Sequence, residues 1–291
     1  MDKKIYDEIT IVFVLYEEKL NLIINCLNNI KDFKIIIVDN AGNKKLKTQI
    51  EKKFNIYKYI VNKKNLGLGV GFNQLINLCD TEYILFCQVD CKIYPKDIIA
   101  LKEKYQNYEN CFLVTPSYCD ENLNLLENGG ILPENRIKNE IIKLEGDICV
   151  EKIITAVFLS KTKDLIEIGS FDNKFFLYFL DYDLCRKILK TKRSMIQIFD
   201  IKIEHNHGLS KVKNLIKRTF LRTFNFTFDE LYYFYKINDH HKILEKLEKK
   251  IYNYIWKFFL CTILLKVEKS VFYFSKIIAY YKFKHFLRKK Y

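Results

Sequence analysis

The sequence predicts an α/β fold: a mixed, mostly parallel sheet with a ligand site on its carboxyl edge, followed by a basic helical extension. Three observations predict it. In the first half, apolar runs of strand length alternate with segments of helical period, which means right-handed βαβ units and parallel pairing. Two of those runs, residues 34–38 (KIIIV) and 83–88 (YILFCQ), deliver an acid at or just past their ends, Asp39 and Asp90. Open α/β sheets bind ligands at such carboxyl ends. Finally, charge divides the chain: from Lys211 onward there are 19 Lys+Arg against 6 Asp+Glu, while the preceding residues hold 30 against 29. The reading is one domain over 1–210 and a helical, lysine- and aromatic-rich region over 211–291.

Taken in order, residues 9–15 (ITIVFVL) form a buried strand. Leu20, Ile23, Ile24, Leu27 and Ile30 then recur at helical spacing. Strand 34–38 leads to a helix over 45–54 and a short strand over 57–61. Gly67, Gly69 and Gly71 mark a turn running into a helix. The strand ending near Gln88 follows, then a helix after Pro95 and a strand over 111–116. In the second half Asn128-Gly129-Gly130 marks a turn. Residues 137–144 alternate like an edge strand, 153–159 read as a buried strand and 162–168 as a helix. Phe171, Phe175, Phe176, Tyr178 and Phe179 are expected to pack against the sheet. Asp181 opens a helix to Lys190, and residues 194–203 return as a strand that delivers His205 and His207. Asp90 also fits the common use of Asp after strands. Asp181 and Asp183 also fit the preference for acids in a first helical turn.

Composition excludes several classes. With 49% hydrophobic and 29% charged residues the chain is globular, and 9 Gly with 3 Pro leave no flexible linker. A nicotinamide or flavin site needs its glycine fingerprint after the first strand, where YEEKLN stands. The P-loop pattern is absent. Nucleic acid is disfavoured, because the body is nearly neutral and the basic tail has no reader motif. The polar start MDKKIYDE shows no signal peptide, and nine cysteines read as free thiols in a reducing cytoplasm. Cys87 and Cys91 lack a second pair or a histidine at finger spacing, which argues against a zinc site.

Six spaced motifs over residues 8–210 carry a resemblance. They are Val14-Leu15-Tyr16-Glu17; Val38-Asp39-Asn40-Ala41-Gly42; Asn65-Leu66-Gly67 with Gly71-Phe72-Asn73; Gln88-Val89-Asp90; Gly169 to Phe176 with Asp181; and His205 to Gly208. Their order resembles family 2 glycosyltransferases of the GT-A fold, in the bacterial rhamnosyltransferase-like branch. The resemblance implies an inverting transferase that moves a sugar from a nucleotide-diphosphate donor to a hydroxyl of a glycan acceptor. Asp39 would bond the base, with Tyr16, Asn65 and Gln88 among the donor contacts. Asp90, with His205, would hold Mg²⁺ or Mn²⁺ on the diphosphate, and Asp181 would be the general base. The chain departs from the family pattern at four positions. Gln88 replaces the first acid of the D-x-D motif, Glu17 stands where Asn is usual, and Ala156-Val157 replaces a Ser-Gly pair beside the acceptor. The first of these admits an alternative, a catalytically inactive glycan- or nucleotide-binding member of the fold. Asp183 is a second-choice base, but two residues along a helix it points about 200° away.

The basic tail has its longest uninterrupted apolar run over 258–265, eight residues, too short to span a bilayer. Aromatic stripes with lysine flanks suit an anionic membrane surface or a homodimer contact. The expectation is a peripheral enzyme at the cytoplasmic face of the plasma membrane, acting on a lipid-linked glycan.

Overall fold

A computed structural model describes residues 4–126, 129–135, 145–205, 214–238 and 240–289. The predicted edge strand 137–144, and His207, lie outside the described residues. The chain divides into two compact units. The first comprises Met1–Asn173 with Asp181–Lys211, and the second Lys174–Leu180 with Val212–Tyr291.

In the first unit α1 (Lys4–Glu8) leads into β1 (Ile9–Leu15), α2 (Leu20–Ile30), β2 (Lys34–Asp39), α3 (Lys44–Glu51), β3 (Lys58–Val61), α4 (Leu68–Leu78) and β4 (Tyr83–Cys87). A two-residue β5 (Cys91–Lys92) precedes α5 (Pro95–Asn107) and β6 (Cys111–Cys119). Then come β7 (Ile148–Cys149), β8 (Val157–Lys161), α6 (Thr162–Glu167), α7 (Leu180–Lys190) and β9 (Ser194–His205). The strands form one sheet in the order β3-β2-β1-β4-β8-β6-β9-β5, with β7 added on β9.

The α/β class and the mixed sheet are as the sequence predicted. Strands β1 to β4 pair in parallel, and their apolar runs are buried as a two-sided sheet requires. The expected strand over 153–159 starts at Val157 instead and runs antiparallel to both β4 and β6. An apolar run is read alike in either direction, so its periodicity carries no orientation.

Two features place the carboxyl edge. Gly71 lets α4 lie directly on β1, since a Cβ there would come within 2.9 Å of Val14 Cγ2. Phe72, Phe86, Phe158 and Phe171 then close the layer between helix and sheet, Phe86 stacking on Phe158 at 4.4 Å between ring centroids. Asn73 pins the Phe171 segment from both sides: its Nδ2 donates to the Phe171 carbonyl at 2.8 Å, and its Oδ1 accepts the Phe171 amide at 3.0 Å.

The remaining aromatics of that segment, expected on the sheet, pack against a helix. They belong to the second unit, which holds α8 (Leu215–Lys236), α9 (His240–Ile263) and α10 (Val267–Arg288). Phe175 packs edge-on to Tyr232, and Phe179 lies against Phe226 and Tyr233. The cause is Asp229 on α8, whose carboxylate accepts the amides of Phe176, Leu177 and Tyr178. Burial pushes that carboxyl up to about 6, against the pull of the three amides.

Among the described residues no helix is long and apolar enough to cross a membrane. On α9 and the turn after it, Tyr252, Trp256, Ile263 and Leu265 are 67–83% exposed.

Candidate active site

The carboxyl ends of β1, β2 and β4 hold four acids, Asp39, Glu17, Glu18 and Asp90. Asp39, the last residue of β2, is fully buried; its Oδ1 accepts the Ala41 amide at 2.6 Å, and Tyr59 donates to its Oδ2 at 3.5 Å. Burial raises its carboxyl above the ordinary range despite these donors. Asn40 continues the wall. Its Nδ2 donates to the Gly67 carbonyl at 3.0 Å and its Oδ1 accepts from Asn62 at 2.8 Å. Asn65, expected to hold the donor, turns inward on its own loop: its Oδ1 accepts the Gly67 amide at 2.9 Å. Gly67 takes φ +88°, the left-handed region that favours glycine, so α4 can start beneath this wall.

β1 ends in Tyr16 and Glu17, and Glu17 takes φ +63°. Asn tolerates that left-handed conformation better than Glu, because its short side chain bonds locally. This accounts physically for the Asn usual at this place. Glu17→Asn is expected to raise unfolding free energy by about 1 kcal/mol, read from urea denaturation.

The third acid is Glu18, which the sequence reading passed over. Its Oε2 accepts the Tyr16 amide. Burial pushes its carboxyl up to about 7, and the charges of Asp39 and Asp90 push the same way. Nothing in the run YEEKLN marks it; only the folded surroundings do. A carboxyl raised in the folded state stabilises fully below its unfolded value of 4.5 and loses that contribution as pH rises through 7. Glu18→Gln keeps an acceptor for Tyr16 and removes the charge. Its unfolding free energy is expected to exceed that of the wild type at pH 8 by about 1–2 kcal/mol, discounted for partial exposure. The difference should vanish below pH 5.

Past β4 the chain turns through Gln88, Val89 and Asp90. The Gln88 amide donates to the Ala156 carbonyl at 2.9 Å, and the Gln88 carbonyl accepts the Cys91 amide at 3.1 Å. Ala156 and Val157, expected beside the acceptor, are fully buried, Ala156 in the turn before β8 and Val157 as its first residue. The turn feeds β5, which pairs antiparallel with the far end of β9, Cys91 directly opposite His205. Asp90 Oδ1 thereby lies 3.6 Å from His205 Nε2, both side chains buried. With Cys91 Sγ, their donor atoms all fall within 4.8 Å of one another. A buried carboxylate beside an imidazole is a donor set that fits a divalent cation.

Asp181 stands in the first turn of α7, partly buried, its Oδ1 accepting the Tyr182 amide at 3.0 Å. Asp183 points into the interior with 5% exposure and lies 3.9 Å from Lys187. Two cavities of about 570 and 480 Å³ open elsewhere, around Tyr105 and Arg193 and around Gly130 and Met195. Neither includes any residue of this edge.

The mixed sheet with acids along its carboxyl edge is the architecture that the sequence resemblance implied, and comparisons with known proteins show a GT-A fold. Residues 10–157 match the family described as Glycosyl transferase family 2, and the chain belongs to that family. An uncharacterized glycosyltransferase of Methanocaldococcus jannaschii is 25% identical over 279 residues, covering 89% of this chain and 86% of its own. Three solved structures share the fold. The mannosyltransferase PcManGT of Pyrobaculum calidifontis, in complex with GDP-Man and Mn²⁺, aligns over 95% of this chain and 86% of its own (TM-score 0.51, 10% identity). GalNAc-T7 with UDP, GalNAc and Mn²⁺ aligns over 77% of this chain (TM-score 0.55, 10% identity), and the chain spans half of its length. Residues 1–349 of S. aureus TarS align over 75% of this chain and 65% of their own length (TM-score 0.50, 15% identity).

Proposed function

We propose that the protein is an inverting glycosyltransferase that moves a sugar from a nucleotide-diphosphate donor to a hydroxyl of a glycan acceptor. The observation that carries this reading is the buried Asp90–His205 pair at 3.6 Å, set beside the Asp39 wall on the same sheet edge. Tyr16, Asp39, Asn65 and Gln88 frame the nucleotide. Asp39 and Asn65 act by fixing the loops at Ala41 and Gly67. Asp90 and His205 hold a divalent cation, Mg²⁺ or Mn²⁺ on the family resemblance. When bound, such a cation neutralises charge on the departing nucleoside diphosphate. Asp181 takes the proton of the acceptor hydroxyl as that oxygen attacks the anomeric carbon, on the face opposite the leaving group. The motif order resembles that of the rhamnosyltransferase-like branch, a resemblance that does not fix the sugar, because donor choice rests on a few pocket residues.

A panel of nucleotide sugars with acceptor glycans, read by nucleoside diphosphate release, tests this. Acceptor-stimulated release from one donor supports transfer. Gln88 favours a second reading, a binding protein without turnover. Ligand-induced thermal stabilisation with no release from any donor supports that reading.

The acceptor is proposed to be lipid-linked, with the second unit on an anionic cytoplasmic membrane surface. Support comes from exposed Trp256, Ile263 and Leu265 on a segment that holds Lys257 and is flanked by Lys249, Lys250 and Lys266. The full chain is expected to float with anionic liposomes and much less with neutral ones. The double variant Ile263→Glu, Leu265→Glu is expected to stay at the bottom of the gradient. If that variant floats like the wild type, this surface is not the anchor.

A further inference from the structure

The donor atoms beside Asp90 are chemically mixed. The family pattern puts a second carboxylate at position 88, and this chain has an amide there. In exchange, the residue after Asp90 is a cysteine. The antiparallel pairing of β5 with β9 sets Cys91 directly across from His205, and opposite residues in such a pair share one face of the sheet. The result is an oxygen, a nitrogen and a sulfur donor within 4.8 Å of one another, on three side chains that are each at least 92% buried. Zinc–ligand bonds of about 2.0–2.2 Å to oxygen and nitrogen and about 2.3 Å to sulfur set donor separations of about 3.3–3.7 Å in a tetrahedron. Asp90 Oδ1 and His205 Nε2 already stand at 3.6 Å. Three protein donors also leave the fourth tetrahedral position open, as in zinc sites that take an outside ligand.

From this geometry we propose that Cys91 is a third metal ligand and that the site selects a borderline-soft ion, Zn²⁺ or Co²⁺, over Mg²⁺ and Mn²⁺. The inference rests on the reading of Asp90 and His205 as metal ligands. Hard ions gain from carboxylate number and little from sulfur, whereas thiolate and imidazole favour zinc and cobalt. Losing a carboxylate at 88 and gaining a thiol at 91 both move selection the same way. Ligation exchanges the S–H bond for an S–metal bond, and the proton leaves to solvent. No oxidant or reductant is involved.

The test uses the full-length protein and the metal alone. Titration with Co²⁺ is expected to produce the near-ultraviolet thiolate-to-cobalt charge-transfer absorption at one equivalent. Cys91→Ser is expected to lose that band while keeping the wild-type circular dichroism spectrum. Zn²⁺ is expected to displace Mn²⁺ at least about 10-fold more effectively from the wild type than from Cys91→Ser. X-ray absorption of the zinc-loaded wild type needs no variant and should show one sulfur scatterer near ~2.3 Å. Cobalt that binds without the charge-transfer band overturns the role of Cys91 and leaves the Asp90–His205 site standing. A band that survives Cys91→Ser belongs to another of the nine cysteines and also overturns it. If neither cobalt nor manganese binds, the metal reading of Asp90 and His205 falls as well.

Discussion

Asp181→Asn is expected to lower the rate of sugar transfer by about 10²–10⁴-fold, which is about 3–5 kcal/mol of transition-state stabilisation. Nucleoside diphosphate affinity is expected to stay within about twofold. The two readouts separate a base from a binding residue, because an interaction made only in the transition state moves kcat and leaves donor binding alone. The substitution is gentle: the amide keeps an oxygen to accept the Tyr182 amide, as Asp181 Oδ1 does now at 3.0 Å. Asp183 cannot take over. It is 5% exposed and paired towards Lys187, on the buried side of the same helix. Asp183→Asn is therefore expected to lower the melting temperature more than it lowers kcat. If Asp181→Asn retains more than half of wild-type turnover, Asp181 is not the base.

The carboxyl edge was legible wherever one strand sufficed to define it. The stretches ahead of Asp39 and Asp90, residues 35–38 and 83–87, are wholly apolar because these strands are covered on both faces, and such runs stand out in a sequence. What joins strands was not legible. His205 meets Asp90 only because β9 is twelve residues long and its far end pairs with β5, a strand of two residues. A two-residue strand has no periodicity to read. The same pairing brings in Cys91, which the sequence sets beside Cys87 and not beside a histidine. Glu18 escaped for another reason: its neighbours in sequence are polar and uninformative, and only burial near Asp39 and Asp90 makes it unusual. The aromatic segment after Gly169 misled because aromaticity says that a residue is covered, not by what. Asp229, more than fifty residues on, decides that by holding the backbone of Phe176, Leu177 and Tyr178.

Asp90→Ala is expected to abolish transfer and to weaken metal-dependent binding of nucleoside diphosphate by at least about 10²-fold, read by calorimetry with and without Mn²⁺. Outer-shell partners of metal ligands are worth about 10–100-fold in affinity, and a direct ligand must exceed them. The variant leaves His205 facing a space where its carboxylate neighbour stood at 3.6 Å, and position 88, already an amide, supplies no acid in its place. That position supplies the complementary gain. Gln88→Asp adds a carboxylate at the same turn, whose backbone is fixed by the Ala156 carbonyl and the Cys91 amide. Affinity of oxygen sites for hard ions follows the count of charged ligands. The substitution is therefore expected to raise Mn²⁺ and Mg²⁺ affinity by about 10-fold and to narrow the preference for zinc. Loss at 90 together with gain at 88 would place the cation between β4 and the end of β9. Loss at 90 with no change at 88 would mean that the Gln88 side chain faces away from the ion and that the chain holds it with Asp90 as its single carboxylate.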